Sequence, residues 1–134
     1  MLWILLIFLL VGAWMISRSN PRILAVRRIA EAIATAEGYY LPSSLPARLN
    51  NPGSLKGSDG VLLRFETADE GWQALYRQVE LMITGKSAYY RPTMTIQEIA
   101  QIYTGGDKPE PWARIVAAKL GTTPDRPIGE VLYA

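Results

Sequence analysis

Residues 22–40 read RILAVRRIAEAIATAEGYY, and the end of this stretch decides the fold. Ile23, Ala30, Ile33 and Glu37 recur by steps of three, four and seven, which places them near one face of a helix over 22–37. Pro21 suits the first turn, and Gly38 is a natural residue just past the last one. The spacing therefore predicts an apolar, alanine-rich helix that stops at a carboxylate, Glu37.

Downstream, Tyr39 to Ser54 holds Pro42, Pro46, Pro52 and Gly53 and reads as a loop. SLKGSDGVLLRF (54–65) reads as a small β-hairpin turning at Ser58-Asp59-Gly60. Thr67-Ala68-Asp69-Glu70 and Thr95-Ile96-Gln97-Glu98 are capping boxes. The first opens a helix to about Thr84 before Gly85, and the second a short helix to about Tyr103. Pro111 opens another helix, 111–120, closed by Gly121, and a last turn of helix is expected over 127–132. The fold class is mainly α (α+β): a helical domain with one small hairpin after its first helix. There are no repeats.

Upstream, LWILLIFLLVGAWMI (2–16) carries no charge and no proline. It is at the short end for a bilayer span and lacks the basic start and small-x-small cleavage site of a signal peptide. We read 1–17 as a transmembrane anchor and 18–134 as the folded domain, the other reading being a signal peptide with an unusual start. Arg18, Arg22, Arg27 and Arg28 follow the run, where a lipid bilayer is their natural partner. Basic residues on that side place the domain in the cytoplasm by the positive-inside rule.

Composition narrows the chemistry. There is no His and no Cys among 134 residues, so Ser-His-Asp and Cys-His nucleophile pairs and His-ligated zinc are excluded. No cofactor or metal is called for. A net charge of +2 without a basic, aromatic-laced stripe argues against nucleic acid. Twelve carboxylates remain, and glycoside cleavage is chemistry that runs on carboxylates alone.

Glu37 is the leading candidate. Apolar neighbours and the negative end of its helix dipole both disfavour its charged form, as a general acid near neutral pH requires. On composition alone, a solvated Glu in a last helical turn is the plainer reading. Asn50-Asn51-Pro52-Gly53 is either a turn or a loop whose amides order the site. Tyr39, Tyr40, Tyr89, Tyr90, Trp72 and Trp112 offer faces for stacking on sugars, although Trp72 and Trp112 sit where core packing is expected. Asp59, Glu66 and Asp69 are possible second carboxylates, Asp69 being also a first-turn acid.

Taken in order, AIATAEGYY (32–40), RLNNPGSLKG (48–57), RFETADEGWQALYRQV (64–79) and IAQIYTGGDKPEPWARIVAAKLG (99–121) resemble the lysozyme-like superfamily. The likeness is to lytic transglycosylases of bacteria and phages and to flagellar-type glucosaminidases, over roughly residues 25–132. It implies a lysozyme-like fold with Glu37 as catalytic acid and base and Tyr103 lining the site and holding the intermediate. It further implies that Asn50 and Asn51 shape the groove, that Tyr39 and Tyr40 contact substrate, and that peptidoglycan glycan strands are the partner. The chain departs from the pattern in having Gly38 where many relatives have Ser, and in lacking the Gly-Leu-Met-Gln segment. With no matched second carboxylate, hydrolysis and anhydro-product formation both stay open. A membrane-anchored wall enzyme facing the cytoplasm is reconciled with its substrate if it belongs to a phage virion, among other virion or envelope proteins. The alternatives are a non-catalytic, glycan-binding or structural protein of the same fold, and a membrane-anchored adaptor.

Overall fold

The computed structural model describes residues 20–133. Within them lie five α-helices and one 3-10 helix: α1 Pro21–Ala36, α2 Leu45–Arg48, α3 Ala68–Ile83, α4 Ile96–Tyr103, α5 Pro109–Leu120 and the 3-10 helix Ile128–Tyr133. The domain is mainly helical, as the periodicity predicts. The expected anchor, 1–17, lies outside the described residues. Among the described residues, no helix is long and apolar enough to cross a membrane.

Helix α1 is the central element. The Asn20 side chain accepts from the backbone N–H groups of Arg22 and Ile23, with Pro21 in the first turn. From Ala25 onward the helix is enclosed by α3, α5 and the 3-10 helix. Ala30, Ala32 and Ala34 are wholly buried, and their short side chains let neighbours approach on several sides. Ile29 and Ile33 meet Met82, Ile96, Ile99, Val116 and Ile128 in the core. Ile23, expected on the buried face, is 47% exposed because it precedes the enclosed turns.

Both capping threonines act as expected: Thr67 accepts from Glu70 N–H, and Thr95 from Glu98 N–H. The Glu70 carboxylate reaches back to Glu66 N–H, so the first box closes one residue early. Helix α5 starts at Pro109, two residues before the predicted Pro111, since proline is tolerated throughout a first turn. It ends at Gly121, as predicted.

The predicted hairpin does not form strands. Its turn falls where expected, with Gly57 N–H on Val61 O and Asp59 Oδ1 accepting from Val61 N–H. Pairing stops at one antiparallel bridge, Lys56 with Leu62. Leu63 N–H still donates to Leu55 O, but the return bond from Leu55 N–H to Leu63 O is interrupted. The Asn51 amide occupies that gap, accepting from Leu55 N–H and donating to Leu55 O and Leu63 O, each at 2.9 Å. A side chain replaces the next rung of the ladder.

Asn51 is fully buried, and its three bonds tie the two arms of the 49–65 loop to one another. Gly71 of α3 lies against this loop; a Cβ there would stand 1.8 Å from Asn50 O. Substituting Asn51 with Ala strands the Leu55 N–H and the Leu63 carbonyl, while Leu55 O keeps its bond from Leu63 N–H. We expect a loss of about 3 kcal/mol in urea unfolding, given roughly 1–3 kcal/mol for each buried polar group left unpaired. A change below about 0.5 kcal/mol, the scatter of ordinary surface substitutions, would show that the clamp is dispensable.

Candidate active site

Helix α1 ends in a Schellman motif. Tyr39 N–H bonds Ala34 O, Gly38 N–H bonds Thr35 O, and Gly38 takes φ +79°. Glu37 is thereby fixed as the cap residue, half-buried, with its backbone N–H on Ile33 O. Its side chain lines a cleft of about 350 Å³ bounded by the 54–56 segment, the end of α4, the 104–108 loop and the start of α5. Ser54, Lys56, Tyr103, Asp107, Lys108 and Trp112 share that lining. Beyond Ser54, Lys56 and Tyr103, which belong to both, a second groove of about 420 Å³ continues past Gln78, Tyr89 and Tyr90.

Burial pushes the Glu37 carboxyl up to about 7 from its ordinary 4.5. Three groups act the other way: the Trp112 indole N–H, the Ser54 hydroxyl and the Lys56 charge. Desolvation outweighs them. The indole nitrogen of Trp112 is buried and closes no full hydrogen bond among the described residues, leaving a donor beside the carboxyl. The result is a carboxyl that exchanges its proton near neutral pH.

Tyr103 sits on the same cleft. Its hydroxyl donates to Gly53 O at 2.5 Å, and its ring packs against Trp112 (centroids 5.0 Å apart) and Tyr90 (6.2 Å). Burial, then the negative charge of Glu37, holds this phenol well above its usual range, so it stays a neutral donor. Gly53 has no room for a side chain: a Cβ would lie 2.7 Å from Leu75 Cδ1 and 3.0 Å from the Tyr103 hydroxyl. Two cleft residues, Ser54 (φ 48°) and Lys108 (φ 50°), hold left-handed backbone without being glycine. Such conformations cost about 1–2 kcal/mol each and persist where the surroundings enforce them.

The structure thus brings Glu37 and Tyr103 together and disperses the other expected site residues. Asn50 and Asn51 serve the loop: Asn50 donates to Phe65 O and Glu66 O, and Asn51 is inside the fold. Tyr39 and Tyr40 face a separate depression with Trp72 and Tyr76, because the Gly38 turn carries the chain past the cleft. Of the acids considered as a second carboxylate, Asp59 closes its turn, Glu66 precedes α3, and Asp69 borders that separate depression. Asp107 is the second carboxylate on the Glu37 cleft. Gly105 and Gly106, both at positive φ, lead the chain to it. That glycine pair was its only signal in the sequence. Ser54, Lys56 and Lys108 reach the cleft through long-range folding and carried no signal. Trp112 is both core and lining.

Among the described residues no three His, Cys, Asp or Glu side chains gather as a metal site. No family model matches the chain, and no curated protein or solved structure matches it.

The raised proton affinity has a consequence for stability. The unfolded chain releases the Glu37 proton near pH 4.5, whereas the folded chain keeps it to about pH 7. Folding therefore weakens as pH rises between those values and is flat above. Glu37→Gln, which cannot ionise, should match the parent protein in urea unfolding at pH 4 and exceed it by about 2–3 kcal/mol at pH 8. Equal stability at both pH values would show that the carboxyl is not desolvated.

Proposed function

We propose that the protein cleaves the glycan strands of peptidoglycan, with Glu37 as general acid and then base. The observation that carries this reading is a carboxyl held near pH 7, opening onto a groove that extends to both sides of Tyr103. Proton exchange at neutral pH is the property an acid catalyst needs, and a groove longer than one sugar suits a polymer. The resemblance of residues 25–132 to lysozyme-like enzymes directs the choice to N-acetylated glycans.

In the proposed reaction Glu37 gives its proton to the bridging oxygen between N-acetylmuramic acid and N-acetylglucosamine, and the C1–oxygen bond breaks. The cation-like centre is met from within the substrate, by the N-acetyl oxygen or by the C6 hydroxyl. In the second case the hydroxyl proton returns to Glu37 and an anhydro sugar leaves. The Trp112 N–H, Ser54 and Lys56 favour the carboxylate between these steps, easing release of the first proton. Asp107 provides the other route: a carboxylate across the cleft that takes a proton from an attacking water, giving a hydrolysed product. Mass spectrometry of the released muropeptides separates the two.

The apolar run 2–16 and the arginines behind it make membrane attachment, in an envelope or a phage virion, part of the same proposal. Reporter fusions at the C-terminus test its orientation.

Glu37→Gln should lower clearing of purified cell walls by about 10³-fold, within the range for loss of a general acid. Because the acid must be protonated, kcat/KM should fall as pH rises through about 7. Undiminished clearing by the variant would refute the assignment, and a folded parent protein that binds walls without cutting them would favour the non-catalytic alternative.

A further inference from the structure

The depression that received Tyr39 and Tyr40 encloses about 540 Å³ and shares no residue with the Glu37 cleft. An unbroken aromatic run lines it. Tyr39 meets Tyr40 and Trp72 edge-on, with centroids 5.2 and 5.6 Å apart, and Trp72 lies 5.8 Å from Tyr76. Arg27 sits over the Tyr76 ring at 5.9 Å, and Tyr40 donates to the Glu31 carboxylate, so three polar groups are already engaged. The rest are not. Among the described residues, the Trp72 indole N–H, the Gln73 amide, the Asp69 carboxylate and the Tyr39 and Tyr76 hydroxyls have no hydrogen-bond partner on the protein.

We infer that this depression is a second glycan-binding site that holds the polymer away from the point of cleavage; the inference rests on the function proposed above. Aromatic faces match the C–H faces of pyranose rings, and a mixed set of N–H, O–H, amide and carboxylate groups matches hydroxyls and N-acetyl groups. One arginine against two carboxylates gives no cationic excess, which disfavours phosphate or nucleic acid as the occupant. The polar lining likewise disfavours an apolar partner helix. Glu37 and Tyr39 are two residues apart, so their Cα atoms stand within about 7 Å.

The test uses full-length protein carrying Glu37→Gln, titrated with chitohexaose while the indole N–H resonances are followed by NMR. Both Trp112, at the cleft, and Trp72, at the depression, should shift. Adding Gln73→Ala or Asp69→Asn should weaken the Trp72 response about 3- to 10-fold, the loss expected of one hydrogen bond, and leave that of Trp112 unchanged. Both positions are exposed on α3, so folding is preserved. A Trp72 resonance that stays silent, or one whose response neither substitution alters, overturns the inference. Residual wall cleavage by the Glu37→Gln chain is a separate outcome, and it overturns the catalytic reading instead.

Discussion

Helix α1 has to stop at Glu37, and most of the site follows from that stop. The helix is gripped on several sides from Ala25 onward, so its direction is set by core packing. Its C-terminal end is the part that reaches the Glu37 cleft. Gly38 can take φ +79° at no steric cost, and the two Schellman bonds then turn the chain away within two residues. The carboxyl is left at the mouth of the cleft, beside apolar residues and at the negative helix end. Desolvation there outweighs a lysine and two hydrogen-bond donors, which is why the proton is held to about pH 7.

The opposite wall is made rigid by a different device. Asn51 gives up solvent contact to bond three backbone groups, and Gly53 and Gly71 admit backbone where no side chain would fit. Tyr103 then ties its hydroxyl to Gly53 O and presents its ring to Trp112. Ser54 is held in a left-handed conformation between these anchors. Its hydroxyl and the Lys56 charge therefore meet Glu37 from a fixed wall.

The helices were legible because their signals are local. Capping threonines, proline in first turns and glycine past the ends act within four residues, and they located α1, α3, α4 and α5; α2, a single turn inside the proline-rich loop, was not foreseen. Glu37 was legible for the same reason, as the carboxylate at a helix end. The hairpin misled because its alternation and turn are real, whereas the group that truncates it is a side chain from outside the segment. Tyr39 and Tyr40 follow Glu37 in sequence, yet the Gly38 turn places their side chains on a different depression from its cleft. Asp107, Lys56 and Ser54 were hidden because they are distant in sequence from Glu37 and come to it only through tertiary packing, with α5 against α1 and α4 against α5.

A single desolvated carboxyl underlies the site, and its proton can be observed directly. Carbon-13 NMR of the Glu37 side-chain carboxyl, followed through a pH titration of the full-length protein, reads its protonation without reference to any substrate. A midpoint near 7 is the predicted result. A midpoint near 4.5, the ordinary value for Glu, would mean that water reaches the carboxyl freely, and the account of this cleft as a catalytic site would be contradicted.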